Sequence, residues 1–350
     1  MIRRLGAAVL AVFAMTGVPP ANAEDGPDYA VLSFADLDGW ADDDHAAALS
    51  VFLNTCGDFN DPDWSAVCGV ARDHSDTDAR AFFELFFRPV LITHRDEPLF
   101  TGYFEPELTG SLTRTSRYRF PVYSMPPEAI RNQPWLTRRQ ILTTGVMDGR
   151  GLEIAWVDDA VELFFLQIQG SGRIKLPDGS FIRVGYGGAN GHPYRSIGQE
   201  MVRRGIYQPH QVSAQVIGNW VRRNPAAGRE LLFHNEAYVF FREVSEVPAD
   251  RGPLGAMNRS ITTMRSIAVD PSITPLGAPV WIEKDGEEPL RRLMIAQDTG
   301  SAIKGAQRAD IFYGTGDAAG ERAGKIRDPG RMVVLLPIQR AYALLPGPGQ

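Results

Sequence analysis

After Gly255 the chain settles into short apolar runs, at 266–269, 279–283, 293–296, 310–313 and 332–336. Turn residues separate them, and Lys284-Asp-Gly286 reads as a hairpin turn. Runs this short, repeated at such spacing, predict strands of a small closed barrel. The 35 glycines and 25 prolines among 350 residues fit a turn-rich, mainly β chain. A hydrophobic fraction of 44% with 22% charged residues is that of a folded protein, long enough for two domains.

Three aspartates stand at the edges of these runs. Asp270 closes Arg265-Ser-Ile-Ala-Val-Asp and precedes Pro271, which reads as a turn former. Asp298 and Asp310 flank the glycine-containing segment Thr299-Gly-Ser-Ala-Ile-Lys-Gly305. Carboxylates at strand ends can form the floor of a catalytic site, and glycosidic cleavage is chemistry that carboxyl groups perform. Asp310 has apolar neighbours, Ala309, Ile311 and Phe312, which favour the protonated acid. Asp298 is followed by Thr299 and Gly300, whose donors would keep it ionised.

Earlier blocks carry the sugar-binding candidates. Thr101, Tyr103 and Glu105 form an aromatic and polar cluster in Thr101-Gly-Tyr-Phe-Glu-Pro106. Gln167, Gln169, Ser171 and Gly172 lie at the end of a run, 161–169, that reads as a long strand. Amides, hydroxyls and aromatic rings suit glycan hydroxyls and ring faces. Lys304, between the two aspartates, is a candidate to hold a substrate oxygen or neutralise Asp298. Other chemistries find less support. Gly170-Ser-Gly172 lacks the full nucleophile elbow, and the histidines at 45, 74, 94, 192, 210 and 234 show no metal-ligand spacing. The glycine-rich segment 185–191 has no phosphate-loop Lys-Ser/Thr, and no cofactor or metal is expected.

Helical spacing appears at 42–55 through Ala46, Leu49, Phe52 and Leu53. It recurs at 78–88 through Phe82, Phe83, Phe86 and Phe87, with Asp76-Thr-Asp78 as N-cap and Pro89 as the stop. Two more helices are predicted at 196–204 and 208–223, and 237–244 returns to strand. Pro177-Asp-Gly-Ser180 predicts a hairpin turn between 173–176 and 181–184.

The first 23 residues read as a cleavable secretory signal: Arg3 and Arg4, an apolar centre from Leu5 to Val18, then Ala21-Asn-Ala23. No cysteine stands at the cleavage point for a lipid anchor, so a soluble periplasmic protein is expected. Loss of the two arginines takes the net charge from −6 to −8, which argues against nucleic acid as a partner. In an oxidising compartment Cys56 and Cys68 are expected to pair.

Several of these blocks resemble a known family. Ser266-Ile-Ala-Val-Asp-Pro271, Gln297-Asp-Thr-Gly-Ser-Ala-Ile-Lys-Gly305 and Ala309-Asp-Ile-Phe312 are similar to the three-aspartate (3D) domain of the membrane-bound lytic transglycosylase A (MltA) family. Thr101-Gly-Tyr-Phe-Glu-Pro106, Leu166-Gln-Ile-Gln-Gly-Ser-Gly172, Gly191-His-Pro-Tyr-Arg-Ser-Ile-Gly198 and Ala237-Tyr-Val-Phe-Phe-Arg242 extend the resemblance, in order, from about residue 98 to 336. The resemblance implies a mainly β protein with a double-psi β-barrel domain, an inserted second β-barrel domain and N-terminal helices. Carried over, residues 24–106 and 240–350 build the first domain and 107–239 the insert, with a cleft between them. It further implies a lytic transglycosylase that cuts the MurNAc–GlcNAc bond of peptidoglycan, with Asp310 as acid/base and Asp298 as supporting carboxylate. Glycan strands are the implied partner, and cell-wall synthesis or division proteins are candidate partners. A non-catalytic, expansin-like wall-binding module and a hydrolase using both Asp298 and Asp310 are the alternatives.

Overall fold

The computed structural model describes residues 26–344 apart from 60, 74–77, 131–132 and 249. The signal segment, Asp76, Thr77, His74 and the Pro/Gly tail at 346–350 lie outside the described residues. The chain opens with strand β1 (Asp28–Val31) and helices α1 (His45–Leu53), α2 (Pro62–Ala71) and α3 (Ala79–Phe86). Strands β2 (Phe87–Thr93), β3 (Leu99–Glu105), β4 (Glu107–Ser111) and β5 (Phe120–Tyr123) follow. Helix α4 (Arg138–Thr143), β6 (Glu153–Val157), α5 (Ala160–Gln169), β7 (Gly172–Lys175) and β8 (Phe181–Ala189) come next. Helices α6 (Ile197–Arg203), α7 (Ala214–Arg223) and α8 (Pro225–Leu232) precede β9 (Val239–Glu243). The chain closes with β10 (Ser266–Val269), β11 (Pro279–Lys284), β12 (Leu290–Thr299), β13 (Arg308–Thr315), α9 (Asp317–Ala323), β14 (Arg327–Asp328), β15 (Gly330–Pro337) and α10 (Ile338–Ala343).

The strands form two sheets. The larger runs β1-β2-β15-β11-β12-β10-β13-β3-β14, the smaller β5-β6-β4-β7-β8-β9. Neither closes by a ladder into the expected barrel. In the small sheet a single bridge, Ser124 to Phe241, links the region of β5 to β9. In the large sheet the closing strand β14 has only two residues, too few for a second ladder. Its return is covalent, through Pro329 into β15, and is reinforced by the Lys284 ammonium of β11 at 2.6 Å from Asp328.

The N-terminal helices cap the large sheet. Asp44 caps α1 by accepting from Ala47 N, and Leu49 and Phe52 face the core. Phe52, Phe82, Phe83 and Phe87 pack as one aromatic cluster over the sheet. Pro89 does not stop α3; it lies within β2, opposite Leu335 of β15. The helix already ends at Phe86, and its C-cap Phe87 is in extended backbone as the first residue of β2. Helix α2, unforeseen in the sequence, begins at Pro62 with Asp61 as N-cap. It carries Cys68, whose disulfide to Cys56 ties it to the end of α1.

The run at 161–169 is a helix, not a strand. Asp159 caps α5 by accepting from Val161 N and Glu162 N, and Gly170, at φ 79°, ends it in the left-handed region. The misreading has a physical cause. Val161 and Phe164 pack into one hydrophobic cluster with α6, α7 and α8, while Leu163 and Leu166 pack into another under the small sheet. A helix buried on two faces shows no polar stripe, so its apolar run looks like a buried strand. Helix α7 also starts later than expected, at Ala214 after the Ser213 cap. Helix α7 ends at Arg223, as expected, and a further helix, α8, begins at Pro225, because proline fits a first helical turn.

Removing the disulfide as Cys56→Ser/Cys68→Ser should lower stability by about 3 kcal/mol, from the loop entropy restored to the unfolded chain. Urea denaturation of the oxidised wild type and the double variant measures this. An unchanged midpoint would mean that helices α1 and α2 hold the loop without the bond.

Candidate active site

The two aspartates come together through β10. Asp310 of β13 stands opposite Ala268, and Ala268 on its other side stands opposite Asp298 of β12. Thr101 of β3 extends the row beyond Asp310. The four residues therefore share one face of the sheet, with the two aspartate backbones about 10 Å apart, two strand spacings. The segment 300–307 is thus a crossover past the end of β10 rather than a turn between paired strands.

A bulge sets this register. Ile267 pairs with Ala296, yet Ala268 pairs with Asp298, so Gln297 is skipped. Without the bulge Gln297 would face Ala268, and Asp298 would point to the opposite side. Bulges re-aim side chains in this way. The skipped Gln297 is fully buried and accepts from the Ser266 hydroxyl.

Each carboxylate is held differently. Asp298 Oδ1 accepts from Ala256 N at 3.0 Å and Thr299 N at 2.9 Å, and Oδ2 accepts from the Tyr103 hydroxyl at 2.9 Å. Asp310 Oδ1 accepts from the Thr101 hydroxyl at 2.6 Å, and among the described residues Oδ2 has no donor. Thr101 in turn accepts from Arg308 Nη2 at 2.8 Å. Burial raises both carboxyls above the ordinary value. Asp298 reaches about 6 despite its three donors and with the Asp310 charge adding to the rise. Asp310 is raised too, against the opposing pull of Thr101 and Arg308. The expectation that Asp298 stays at an ordinary ionised value is corrected: desolvation outweighs the donors. The expected apolar setting of Asp310 is also corrected. Ala309 and Ile311 point into the core, whereas Asp310 faces a hydroxyl and a guanidinium.

Tyr103 is pushed well up by its own burial and by both aspartates, so it remains a donor to Asp298. Asp270 is the turn former expected. It accepts from Ser272 N, the Ser272 hydroxyl and Gly305 N, fastening the crossover to the end of β10. Burial raises its pKa, but these donors and Lys304 outweigh that and hold it below the ordinary value. Lys304 therefore belongs with Asp270, at 3.5 Å, and not between Asp298 and Asp310.

A cleft of about 880 Å³ lies over the aspartates, between the two sheets. Asp298, Asp310 and Arg308 form its floor, and Gln167, Gln169 and Ser171 line the facing wall. Exposed rings of Tyr186 and Tyr194 also face it, and the sequence reading missed both. His192, opposite Trp135 O at 2.8 Å, pins its loop. Gly191 is required there: its φ is 74° and a side chain would strike the Gln133 carbonyl.

Some expected sugar ligands have other work. Gln167 is buried and accepts from Arg138. Gln169 accepts from Phe104 N at 3.3 Å. Gly172 is buried where a side chain would strike Leu166 and Pro106. Glu105 has no exposed surface and no access to the cleft. It lies 3.0 Å from Arg173 and 2.8 Å from Arg183 of the small sheet and accepts from the Thr315 hydroxyl of the large one.

The MltA specific insert domain is matched over residues 99–242 and the 3D domain over residues 265–336. The chain is 34% identical over 263 residues to membrane-bound lytic murein transglycosylase A of Vibrio cholerae, covering 71% of this chain and 69% of that one. Among solved structures it is similar to MltA from Neisseria gonorrhoeae, with 36% identity, a TM-score of 0.78, and 90% and 94% of the two chains covered. It is also similar to Escherichia coli MltA with bound chitohexaose, with 28% identity, a TM-score of 0.72, and 91% and 98% covered.

The Asp298 carboxyl ionises near 6 in the folded state, against about 3.9 unfolded. The folded state then holds a proton that the unfolded chain has released, so stability falls as pH rises from about 4 to about 6. Thermal melts across that window should show the fall in the wild type and a smaller one in Asp298→Asn; equal slopes would refute the assignment. Glu105→Ala should destabilise by about 3–5 kcal/mol, because it strands two guanidiniums in a buried joint. A denaturation midpoint within error of wild type would show that the ion pairs hold nothing together.

Proposed function

This chain belongs to the membrane-bound lytic murein transglycosylase A family, and we propose that Asp310 is the acid/base with which it cleaves peptidoglycan. The reaction breaks the β-1,4 bond between MurNAc and GlcNAc and leaves a 1,6-anhydroMurNAc end. Asp310 first gives its proton to the glycosidic oxygen as the bond to C1 breaks. The resulting carboxylate then takes the proton of the sugar's C6 hydroxyl, whose oxygen closes onto C1. One carboxyl group serves both steps and no water is consumed.

The distribution of donors carries the assignment. Asp310 Oδ1 is occupied by Thr101, while Oδ2 is left to hold a proton toward the cleft. Asp298 has donors on both oxygens and, with its carboxyl at about 6, is mostly ionised at neutral pH, where it faces the positive charge that builds on the sugar. Thr101 and Tyr103 act in this reading as positioning residues for the two carboxylates. Exposed Tyr186 and Tyr194, with Gln169 and Ser171, supply ring faces and polar groups for a glycan along the cleft.

The proposal extends to organisation and location. Of the domain limits 24–106, 107–239 and 240–350, the first crossing is supported by the strand partition, since β4 to β8 lie in the small sheet; β9 (Val239–Glu243) pairs there too, which moves the second crossing from 239 to about 243. Among the described residues no helix is long and apolar enough to cross a membrane. Export by the cleavable signal at 1–23 would place the enzyme in the periplasm, beside its polymer and the cell-wall synthesis or division proteins expected as partners.

Asp310→Asn should retain the fold and glycan binding and lose about 10²–10⁴-fold in turnover on purified sacculi. Asp298→Asn should lose less. Mass spectrometry of wild-type products should find anhydro ends. Reducing MurNAc ends as the main product would make the enzyme a hydrolase, and full activity of Asp310→Asn would discard the assignment.

A further inference from the structure

A second cavity, of about 770 Å³, lies within the inserted part of the chain, away from the aspartates. At its inner end stands Arg138, the first residue of α4, only 3% exposed. Its guanidinium donates to Asn235 O, Gln167 Oε1 and Ala237 O. All three acceptors are neutral, and among the described residues no carboxylate pairs with it. A buried charge without a counter-ion is costly. Stacking against Phe164 at 4.6 Å and Tyr238 at 5.2 Å eases that cost only in part. Burial lowers its pKa to about 10, so it stays charged at neutral pH.

Three aspartates, Asp148, Asp158 and Asp159, line the cavity, and none of them pairs with Arg138. A guanidinium has five N–H donors, and three are used, so two remain. Tyr238, 1% exposed and also lining the cavity, has a buried hydroxyl whose polar neighbour is the Gln167 amide, too poorly aligned to make a hydrogen bond of ordinary geometry. At the rim stand Arg114, Arg119 and Arg229, none of them in an ion pair among the described residues. The rim aspartates 158 and 159 are already paired, with Arg117 and Arg222. The walls between are aromatic, including Phe120, Trp156 and Phe233. An excess of arginines over aspartates, a poorly satisfied hydroxyl and apolar walls together describe a site for a carboxylate on a small, partly apolar body.

We propose that this cavity binds the acidic peptide branch of the same polymer whose glycan lies in the cleft. The proposal rests on the murein reading above. What points to that source is the shared wall: Arg138 and Gln167 line both the cleft and this cavity. A carboxylate-bearing branch leaving a glycan in the cleft would therefore meet the buried guanidinium next. Small alanine-like side chains suit the aromatic walls, and the rim arginines suit further carboxylates.

The test has two arms. In the first, calorimetry measures binding of the free tripeptide L-alanyl-γ-D-glutamyl-diaminopimelate to the whole protein. Tyr238→Phe removes one oxygen inside an intact fold, and Arg229→Gln changes an exposed helix residue. Each should weaken binding about tenfold, the loss typical of one charge-assisted hydrogen bond. In the second arm, KM is compared on peptide-bearing murein and on glycan stripped by an amidase. The wild type should show the lower KM on peptide-bearing strands; both variants should lose that difference and keep their kcat on stripped glycan. Absence of tripeptide binding, or equal binding by wild type and both variants, overturns the site. A difference in KM without free-peptide binding also overturns it, since the peptide would then act elsewhere. If neither polymer is cleaved, the murein reading fails, and the calorimetry alone decides the cavity.

Discussion

The structure depends on one carboxylate that water does not reach. Glu105 ends β3 of the large sheet, and two residues later β4 begins the small one. At that joint Arg173 of β7 and Arg183 of β8 close on Glu105 from one side, and Thr315 of β13 from the other. The two guanidiniums also donate to Arg251 O, on the segment that carries the chain back toward the large sheet. Both crossings between the sheets are therefore fastened to the same point. A buried ion pair adds little net stability compared with apolar packing, but its directional bonds admit few alternative geometries. What it fixes is the relation of the cleft's two walls, and with it the distance between the aspartate floor and the tyrosine-bearing wall opposite.

Within the floor, the deciding detail is one skipped residue. β12 and β13 do not pair with each other; β10 lies between them, with Ala268 separating the two carboxylates. Ala268 leaves the space over the row open, since its side chain is a single methyl. The bulge at Gln297 then rotates Asp298 onto the face that Asp310 already occupies. The skipped Gln297 turns inward, where its Oε1 accepts from the Ser266 hydroxyl.

Much of this was legible in the sequence, and what was not has identifiable causes. The short strands β10, β11, β13 and β15 followed from apolar runs between turns, and the 177–180 hairpin from its turn chemistry. Helix α5 was misread because both of its faces are apolar contacts, which erases the 3.6-residue signal. The MltA-like blocks located Asp298 and Asp310, but no local pattern reveals a bulge, so their shared face was invisible. Glu105 and Lys304 were assigned to substrate by position in a motif. Their partners, Arg173, Arg183 and Asp270, are either distant in sequence or brought near by the crossover. Arg308 could have been noticed, two residues before Asp310 on the same strand face, since alternation alone places i and i+2 together.

Three aspartates in similar apolar-edge settings end in three different states, and the count of donors sorts them. Asp270 has donors on both oxygens and a lysine nearby, and they hold it ionised in spite of burial. Asp298 has three donors and, among the described residues, no ion pair with a cation, so burial wins and its carboxyl rises to about 6. Asp310 has one donor and an arginine acting partly through Thr101, and it too is raised. An acid that must both give and take a proton needs one oxygen anchored for aim and one oxygen free for the proton. Of the three, only Asp310 combines those features with a place in the cleft. The same strand-edge residue type thus yields a loop fastener at Asp270 and, in the proposed mechanism, a fixed charge at Asp298 and a proton carrier at Asp310, separated by which backbone and hydroxyl donors the fold brings to each oxygen.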